Sequence, residues 1–444
     1  MAAPQGVKIT GLCFEAGNAD QAACTFTAAV AQWTHEPELL NNLATSLAAL
    51  SQEVAFDGDP QSFGARALCE AQAAAELALV MGHAPAGALV QAIVELRHQM
   101  QLTTSEVPST VAEALSLCEG RVDTDGQVPW VQETGESLSL HTDVVCRDAK
   151  SLELAASERE RRLGYWRPSQ LRRAFLLRRI CGLLLVQDVF DIQVLANVSS
   201  ALQHISQLET ERSHRVAESS RVEASRGHKR REVKVPLQHP FTHQDLLSPP
   251  LLRSLVQLLL GNRIELDTFS FIESRPGSTD QPWHFDVPLP DFGLKGVAPS
   301  VGLVSVVPLV NVMPTNGATE FLPGSHCQAA DRRFWMDAET KSVLRLQPSL
   351  TVGSLALFDL GLRHRGAANS GDSSRTILYM SYVHEWFRDA INFPEPQSSA
   401  WHSWTPTTKR LLSRLDSRRY LQELETRLGV VSQSTGEGRR DLEL

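Results

Sequence analysis

Over the first hundred residues, apolar positions recur at helical spacing. Leu39, Leu40, Leu43, Leu47 and Leu50 fall along one such face. Residues 65–81 and 87–100 read the same way, with Asp59-Pro60 and Ala84-Pro85 as breaks. The pattern predicts an α-helical N-terminal region of several short helices. It has no clean period, which favours a helical cap over a repeat array. A module that binds a protein partner is the other reading. Residues 157–179 are basic and helical, as a solvated mixed-charge face would be. Residues 182–190 then form an apolar run of strand length, and a helix is predicted over about 192–208. Residues 209–234 carry almost no bulky apolar side chain and read as an exposed loop. Its Lys229, Arg230 and Arg231 read as solvated charges rather than a nuclear signal.

From Ile264 the period changes. Residues 264–273, 302–312, 318–322, 354–360 and 376–386 are apolar or alternating and rich in Val, Leu, Phe and Tyr. Pro276-Gly277, Pro323-Gly324 and Gly371-Asp372 punctuate them. Many short strands with turn signals predict a sandwich or barrel, hence an α+β chain. At the end, residues 409–428 return to helical spacing before a polar tail.

Composition narrows the function. A chain of 444 residues allows two or three domains. With 42% hydrophobic residues it can fold without a metal or disulfide staple. Asp and Glu (51) outnumber Lys and Arg (42), which disfavours nucleic-acid binding. The seven cysteines (Cys13, Cys24, Cys69, Cys118, Cys146, Cys181, Cys327) are scattered without a C-x-x-C. They predict neither a disulfide framework nor a zinc knuckle, and fit a reducing compartment. Apolar runs such as 255–260 are far too short to span a bilayer, and no secretory signal opens the chain. The expectation is an intracellular, cytoplasmic protein without membrane contact.

The chemically informative stretch is 276–286, which ends Trp283-His284-Phe285-Asp286. On a strand, residues two apart face the same side. His284 and Asp286 would then aim an imidazole and a carboxylate at one point, while Trp283 and Phe285 pack on the other face. Such a pair supplies two legs of the facial triad that holds non-haem Fe(II), leaving positions open for co-substrate and O2. The third leg must come from a distant strand. His364, just past an apolar strand, is the candidate. His326, after the Pro323-Gly324 turn, and His384, beside Trp386, compete with it.

Three stretches together are more specific. Pro-Gly-Ser-x-x-Gln-x-Trp-His-x-Asp (276–286), Asn-Gly-Ala-Thr-Glu-Phe-Leu-Pro-Gly-Ser-His (316–326) and His-Arg-Gly-Ala-Ala-Asn-Ser (364–370), followed by Arg375, resemble the phytanoyl-CoA dioxygenase family. The resemblance covers roughly residues 182–393. It implies a double-stranded β-helix, a jelly-roll or cupin-like barrel with flanking helices. It implies His284, Asp286 and His364 as ligands of Fe(II), and Arg375 as the partner of the distal carboxylate of 2-oxoglutarate. A guanidinium suits that task because it grips a carboxylate with two hydrogen bonds. Arg363, Arg365 and Arg388 are rival cations; the first two adjoin His364, too close to reach the far end of a chelating diacid. Gly366 would leave room near the iron ligand, and Asn369 and Ser370 would shape the turn before Arg375. Phe285 departs from the polar residue often found at its position. Relatives that halogenate lack the carboxylate, so Asp286 favours hydroxylation.

The expected organisation is an α-helical region over 1–155, an oxygenase domain over 156–395 and a C-terminal helix and tail over 396–444. The expected activity is Fe(II)/2-oxoglutarate-dependent hydroxylation of a small-molecule or acyl substrate, with O2 consumed and succinate and CO2 released. A catalytically silent barrel acting as a scaffold, or a cupin-like metal enzyme that ignores 2-oxoglutarate, are the alternatives. Specificity is expected in loops such as 209–234 and 287–300.

Overall fold

A computed structural model of the chain describes residues 36–53, 63–99, 145–213, 228–287, 300–326, 343–387 and 404–413. Three helices come first: α1 (Pro37–Glu53), α2 (Phe63–Val80) and α3 (Ala86–Gln99). Then follow β1 (Glu153–Ala155), α4 (Glu158–Leu163), α5 (Pro168–Cys181), β2 (Leu183–Gln187), α6 (Ile192–Ser213) and β3 (Arg230–Lys234). Two helices, α7 (Gln244–Leu247) and α8 (Pro250–Leu260), lead into β4 (Ile264–Ser274) and β5 (Gly302–Pro308). The remainder is β6 (Thr319–Phe321), β7 (Leu355–Asp359), β8 (His364–Gly366), β9 (Arg375–His384) and α9 (Pro406–Leu411).

Seven strands form one mixed sheet in the order β1-β2-β7-β5-β9-β4-β3, antiparallel except for β1 against β2. A second layer is made of β6 paired with β8 and of isolated bridges, among them Val312 to Leu350 and His284 to His364. Strand β9 sorts its side chains by parity. Leu378, Met380 and Tyr382 belong to the apolar core with Leu252 and Leu255 of α8. The Tyr382 hydroxyl donates to the Leu247 carbonyl at 2.9 Å. Arg375, Ile377, Tyr379 and Ser381 line a cavity on the other face. Two sides buried against different partners explain why the strand reads as apolar with polar interruptions.

The N-terminal helices pack together through Ala44, Leu68, Ala71, Ala74, Ala75 and Ile93. Leu40, Leu43 and Leu77 join the main core. The Glu70 carboxylate accepts from the Ser169 backbone N–H at 2.8 Å and hydroxyl at 2.7 Å, fastening α2 to α5.

Three sequence expectations are corrected. Residues 230–234 are strand β3, not exposed loop, because they complete the sheet edge beside β4; α6 also runs on to Ser213. His284 makes an isolated bridge to His364 and Asp286 follows in a bend, so neither lies in a regular strand. Cys146 and Cys181 form a disulfide across 35 residues of sequence. Both are fully buried, so cysteine usage no longer argues for a reducing compartment. Of the described helices, none is long and apolar enough to cross a membrane. The 388–403 segment with Arg388, the 288–299 part of the second specificity loop and most of the predicted C-terminal helix lie outside the described residues.

Gly302 on β5 lies opposite Val383 of β9. A Cβ there would lie 2.5 Å from the Tyr382 carbonyl oxygen and 2.6 Å from Leu360 Cδ1. Gly302→Ala should therefore cost about 1–3 kcal/mol by overpacking. Thermal or denaturant unfolding measures it, and an unchanged midpoint would contradict the packing described.

Candidate metal centre

A cavity of about 200 Å³ is lined from both layers, by residues of β3, β4, β5, β7 and β9 on one side and of β6 and β8 on the other. His284, Asp286 and His364 meet in it, each with one ligand-type atom within 4.8 Å of the others. The His284–His364 bridge brings these segments together: each residue's N–H donates to the other's carbonyl at 3.0 Å. His284 Nε2 lies 3.8 Å from Asp286 Oδ1, and His364 Nε2 lies 3.6 Å from Asp286 Oδ2.

The other imidazole nitrogens fix the protonation pattern. His284 Nδ1 lies 2.9 Å from the Pro282 carbonyl oxygen, and His364 Nδ1 lies 2.9 Å from that of Leu362. A carbonyl only accepts, so each Nδ1 carries the proton and each Nε2 presents a lone pair to the cluster. Burial lowers the His364 pKa, with Asp286 opposing and His284 reinforcing. The Tyr379 hydroxyl donates to Asp286 Oδ2 at 2.6 Å, which orients the carboxylate. Burial, then Asp286, pushes the Tyr379 pKa well up, so the phenol stays a donor. Two imidazoles tethered at Nδ1 and an oriented carboxylate fit a divalent first-row metal such as Fe(II).

Arg375 lines the same cavity and is 1% exposed. It donates to the Gly317 carbonyl, and its Nε is buried without a partner. Asn369 holds the turn before it, donating to the Ser274 carbonyl at 2.8 Å and the Ser373 carbonyl at 2.9 Å. The rival residues go elsewhere. Arg365 pairs with Glu320 at 2.5 Å and Asp280 at 3.3 Å, and lies over the Trp283 ring at 4.8 Å. Arg363 is buried but does not line the cavity. His384 stacks on Trp386 at 5.3 Å. His326 packs over Gly182, its Nε2 3.2 Å from the Arg179 carbonyl oxygen.

Sequence reasoning missed Tyr379 and Arg230. Tyr379 lies four residues beyond Arg375 on one strand, so parity alone puts both on one face. Arg230 was hidden in a polar run. A β-bulge between Leu266 and Thr268 gives a further surprise, since it turns both Asp267 and Thr268 towards the cavity.

The phytanoyl-CoA dioxygenase (PhyH) family profile matches residues 180–377, the segment that carries the whole cluster. Among solved structures, similar chains include the "non-heme alpha ketoglutarate dependent epimerase SnoN from nogalamycin biosynthesis", 22% identical over 49% of this chain and 84% of that one, TM-score 0.37. The carbocyclase SnoK from the same biosynthesis is 16% identical over 48% and 83%, TM-score 0.35. AviO1 from Streptomyces viridochromogenes Tue57 is 18% identical over 49% and 96%, TM-score 0.35.

His326 yields a stability prediction. Burial, opposed by Asp359 and reinforced by Arg178, lowers its pKa from 6.5 to about 4. Between those values the unfolded chain binds a proton that the folded one refuses. Stability therefore falls as pH drops from 6.5 to about 4. Replacing His326 by Gln should flatten that part of the midpoint-versus-pH curve, and an identical slope in the variant would contradict the assignment.

Proposed function

We propose that the chain is an Fe(II)/2-oxoglutarate-dependent dioxygenase that hydroxylates a C–H bond of a small-molecule or acyl substrate. The observation that carries this is the convergence of two backbone-tethered imidazoles and Asp286, with the Arg375 guanidinium in the same cavity. On this reading the two layers are the halves of a double-stranded β-helix. The oxygenase domain spans 156–395, flanked by the helical region and the C-terminal segment.

His284 Nε2, His364 Nε2 and the Asp286 carboxylate hold the metal, and Tyr379 keeps that carboxylate turned. Arg375 takes the distal carboxylate of 2-oxoglutarate. Phe358, Val306 and Ile377 supply apolar wall that keeps water from the reacting end. When bound, the metal and its co-substrate supply the oxidation: 2-oxoglutarate and O2 become succinate and CO2, and one oxygen atom enters the substrate.

Arg375 decides which co-substrate the cavity serves. Burial, then Arg230, lowers its pKa to about 9, so at neutral pH the guanidinium still carries its charge. Leaving a desolvated carboxylate without this partner should cost about 2–5 kcal/mol, roughly 30-fold to several-thousandfold in affinity. Anaerobic titration of 2-oxoglutarate into the iron-loaded protein, followed by metal-to-ligand absorption, measures it for wild type and Arg375→Ala. Iron binding should be unchanged, and Arg375→Lys should recover only part of the loss. Coincident curves would remove the 2-oxoglutarate reading.

A further inference from the structure

Strand β7 ends at Asp359, which is 3% exposed and does not line the metal cavity. The Arg178 guanidinium of α5 donates to its Oδ2 at 2.6 Å, and the Ser300 hydroxyl donates to the same oxygen at 2.7 Å. Burial would raise the Asp359 pKa. Arg178, then His326 and the hydrogen bonds from Ser300 and Gly361, outweigh it and hold the carboxyl below its ordinary value. The group is therefore an anion at neutral pH. A buried ion pair of this kind adds little net stability, because desolvating two charges offsets much of their attraction. Its use lies in what the carboxylate holds.

Asp359 opens the turn that delivers His364. Its second oxygen, Oδ1, accepts from the Gly361 N–H at 2.8 Å. Its backbone carbonyl accepts from the Leu362 N–H at 2.8 Å, and its own N–H donates to the Gly182 carbonyl at 2.9 Å. Side chain and main chain of one residue thus close the turn 359–362 together.

Two carbonyl groups of that turn reach the ligand segments. The Leu362 oxygen accepts from His364 Nδ1 at 2.9 Å and so sets the rotation of the ring. The Leu360 oxygen accepts from the N–H of Val287, the residue after Asp286, at 3.4 Å. Any shift of the turn moves the Leu362 oxygen, and Nε2 on the far side of the imidazole moves with it. A metal site works only when its ligands are held to within about 0.5 Å, so the anchoring of this turn bears directly on the centre.

We infer that Asp359 is a positioning residue for the metal centre: its carboxylate, fixed by Arg178 and Ser300, locks the 359–362 turn through Gly361 and thereby the ring of His364. This rests on the proposed metal site and adds a residue outside its ligand set.

Removing Asp359 alone would strand the Arg178 charge in the interior, so the test uses double variants that lack the ion pair altogether. Arg178→Met with Asp359→Asn keeps an amide oxygen for the Gly361 N–H and an NH2 group for the Ser300 oxygen. Arg178→Met with Asp359→Leu fills the volume but accepts nothing, and Asp359→Ala replaces Asp359→Leu if the larger side chain unfolds the protein. Fe(II) affinity is read by anaerobic competition with a chromophoric chelator. Ligand geometry is read from the visible absorption of Co(II) bound in place of iron. Circular dichroism and the thermal midpoint establish that each variant is folded at the working temperature. The Asn variant should bind Fe(II) nearly as tightly as wild type and give the wild-type cobalt spectrum. The Leu variant should bind about 10- to 100-fold more weakly, the loss that follows removal of a group behind a metal ligand, and its spectrum should change. If the Leu variant matches wild type in both readouts and differs only in thermal midpoint, Asp359 is a structural residue and the inference is overturned. It is equally overturned if both variants weaken iron by the same factor, since the ion pair rather than the turn contact then matters. If the wild-type protein binds neither Fe(II) nor Co(II), the metal reading itself has failed, and this inference falls with it.

Discussion

The mutual backbone hydrogen bonds between His284 and His364 are the constraint on which the centre depends. Each N–H reaches the other's carbonyl at 3.0 Å, joining segments 80 residues apart. Such a bridge fixes two Cα positions, but imidazoles still rotate about their own bonds. The carbonyl groups of Pro282 and Leu362 remove that freedom by holding both Nδ1 atoms. What remains is a pair of Nε2 lone pairs aimed at Asp286, whose carboxylate is itself turned by Tyr379. Catalytic geometry of this kind needs supporting contacts behind every ligand, and here each ligand has one.

The sheet serves this centre through its alternation. One parity of β9 packs on helices and the other faces the cavity, so a single strand anchors the core and delivers Arg375 and Tyr379. Neighbouring registers extend the rule to β4 and β3. Cations therefore collect on one row of the cavity, while Asp286 and Tyr379 sit at the metal cluster. Under the proposed function, that separation would turn the keto acid of 2-oxoglutarate towards the histidines and its far end towards Arg375. The reaction proposed for this cavity needs that orientation.

Much of this was legible in the sequence because it rests on local pattern. The strands 264–273, 354–360 and 376–386 were read within two residues of β4, β7 and β9, since turn residues bound them. The i, i+2 spacing of His284 and Asp286 placed both on one side even without a regular strand around them. His364 was separated from His326 and His384 only by motif, because three histidines with lowered pKa values look alike in a sequence. Arg230 was not legible. Its neighbours are polar because β3 is an edge strand, and edge strands lack the alternating apolar signature of central ones. The Cys146–Cys181 pair was equally hidden, since proximity across 35 residues follows from tertiary packing.

The most direct test of the account is anomalous diffraction at the iron edge, on crystals grown without oxygen in Fe(II) and 2-oxoglutarate. The account predicts one anomalous peak, within bonding distance of His284 Nε2, His364 Nε2 and the Asp286 carboxylate. It also predicts 2-oxoglutarate density running from that peak to Arg375. A peak at His326 or His384, or a metal at the triad with the co-substrate's far carboxylate turned away from Arg375, would contradict it.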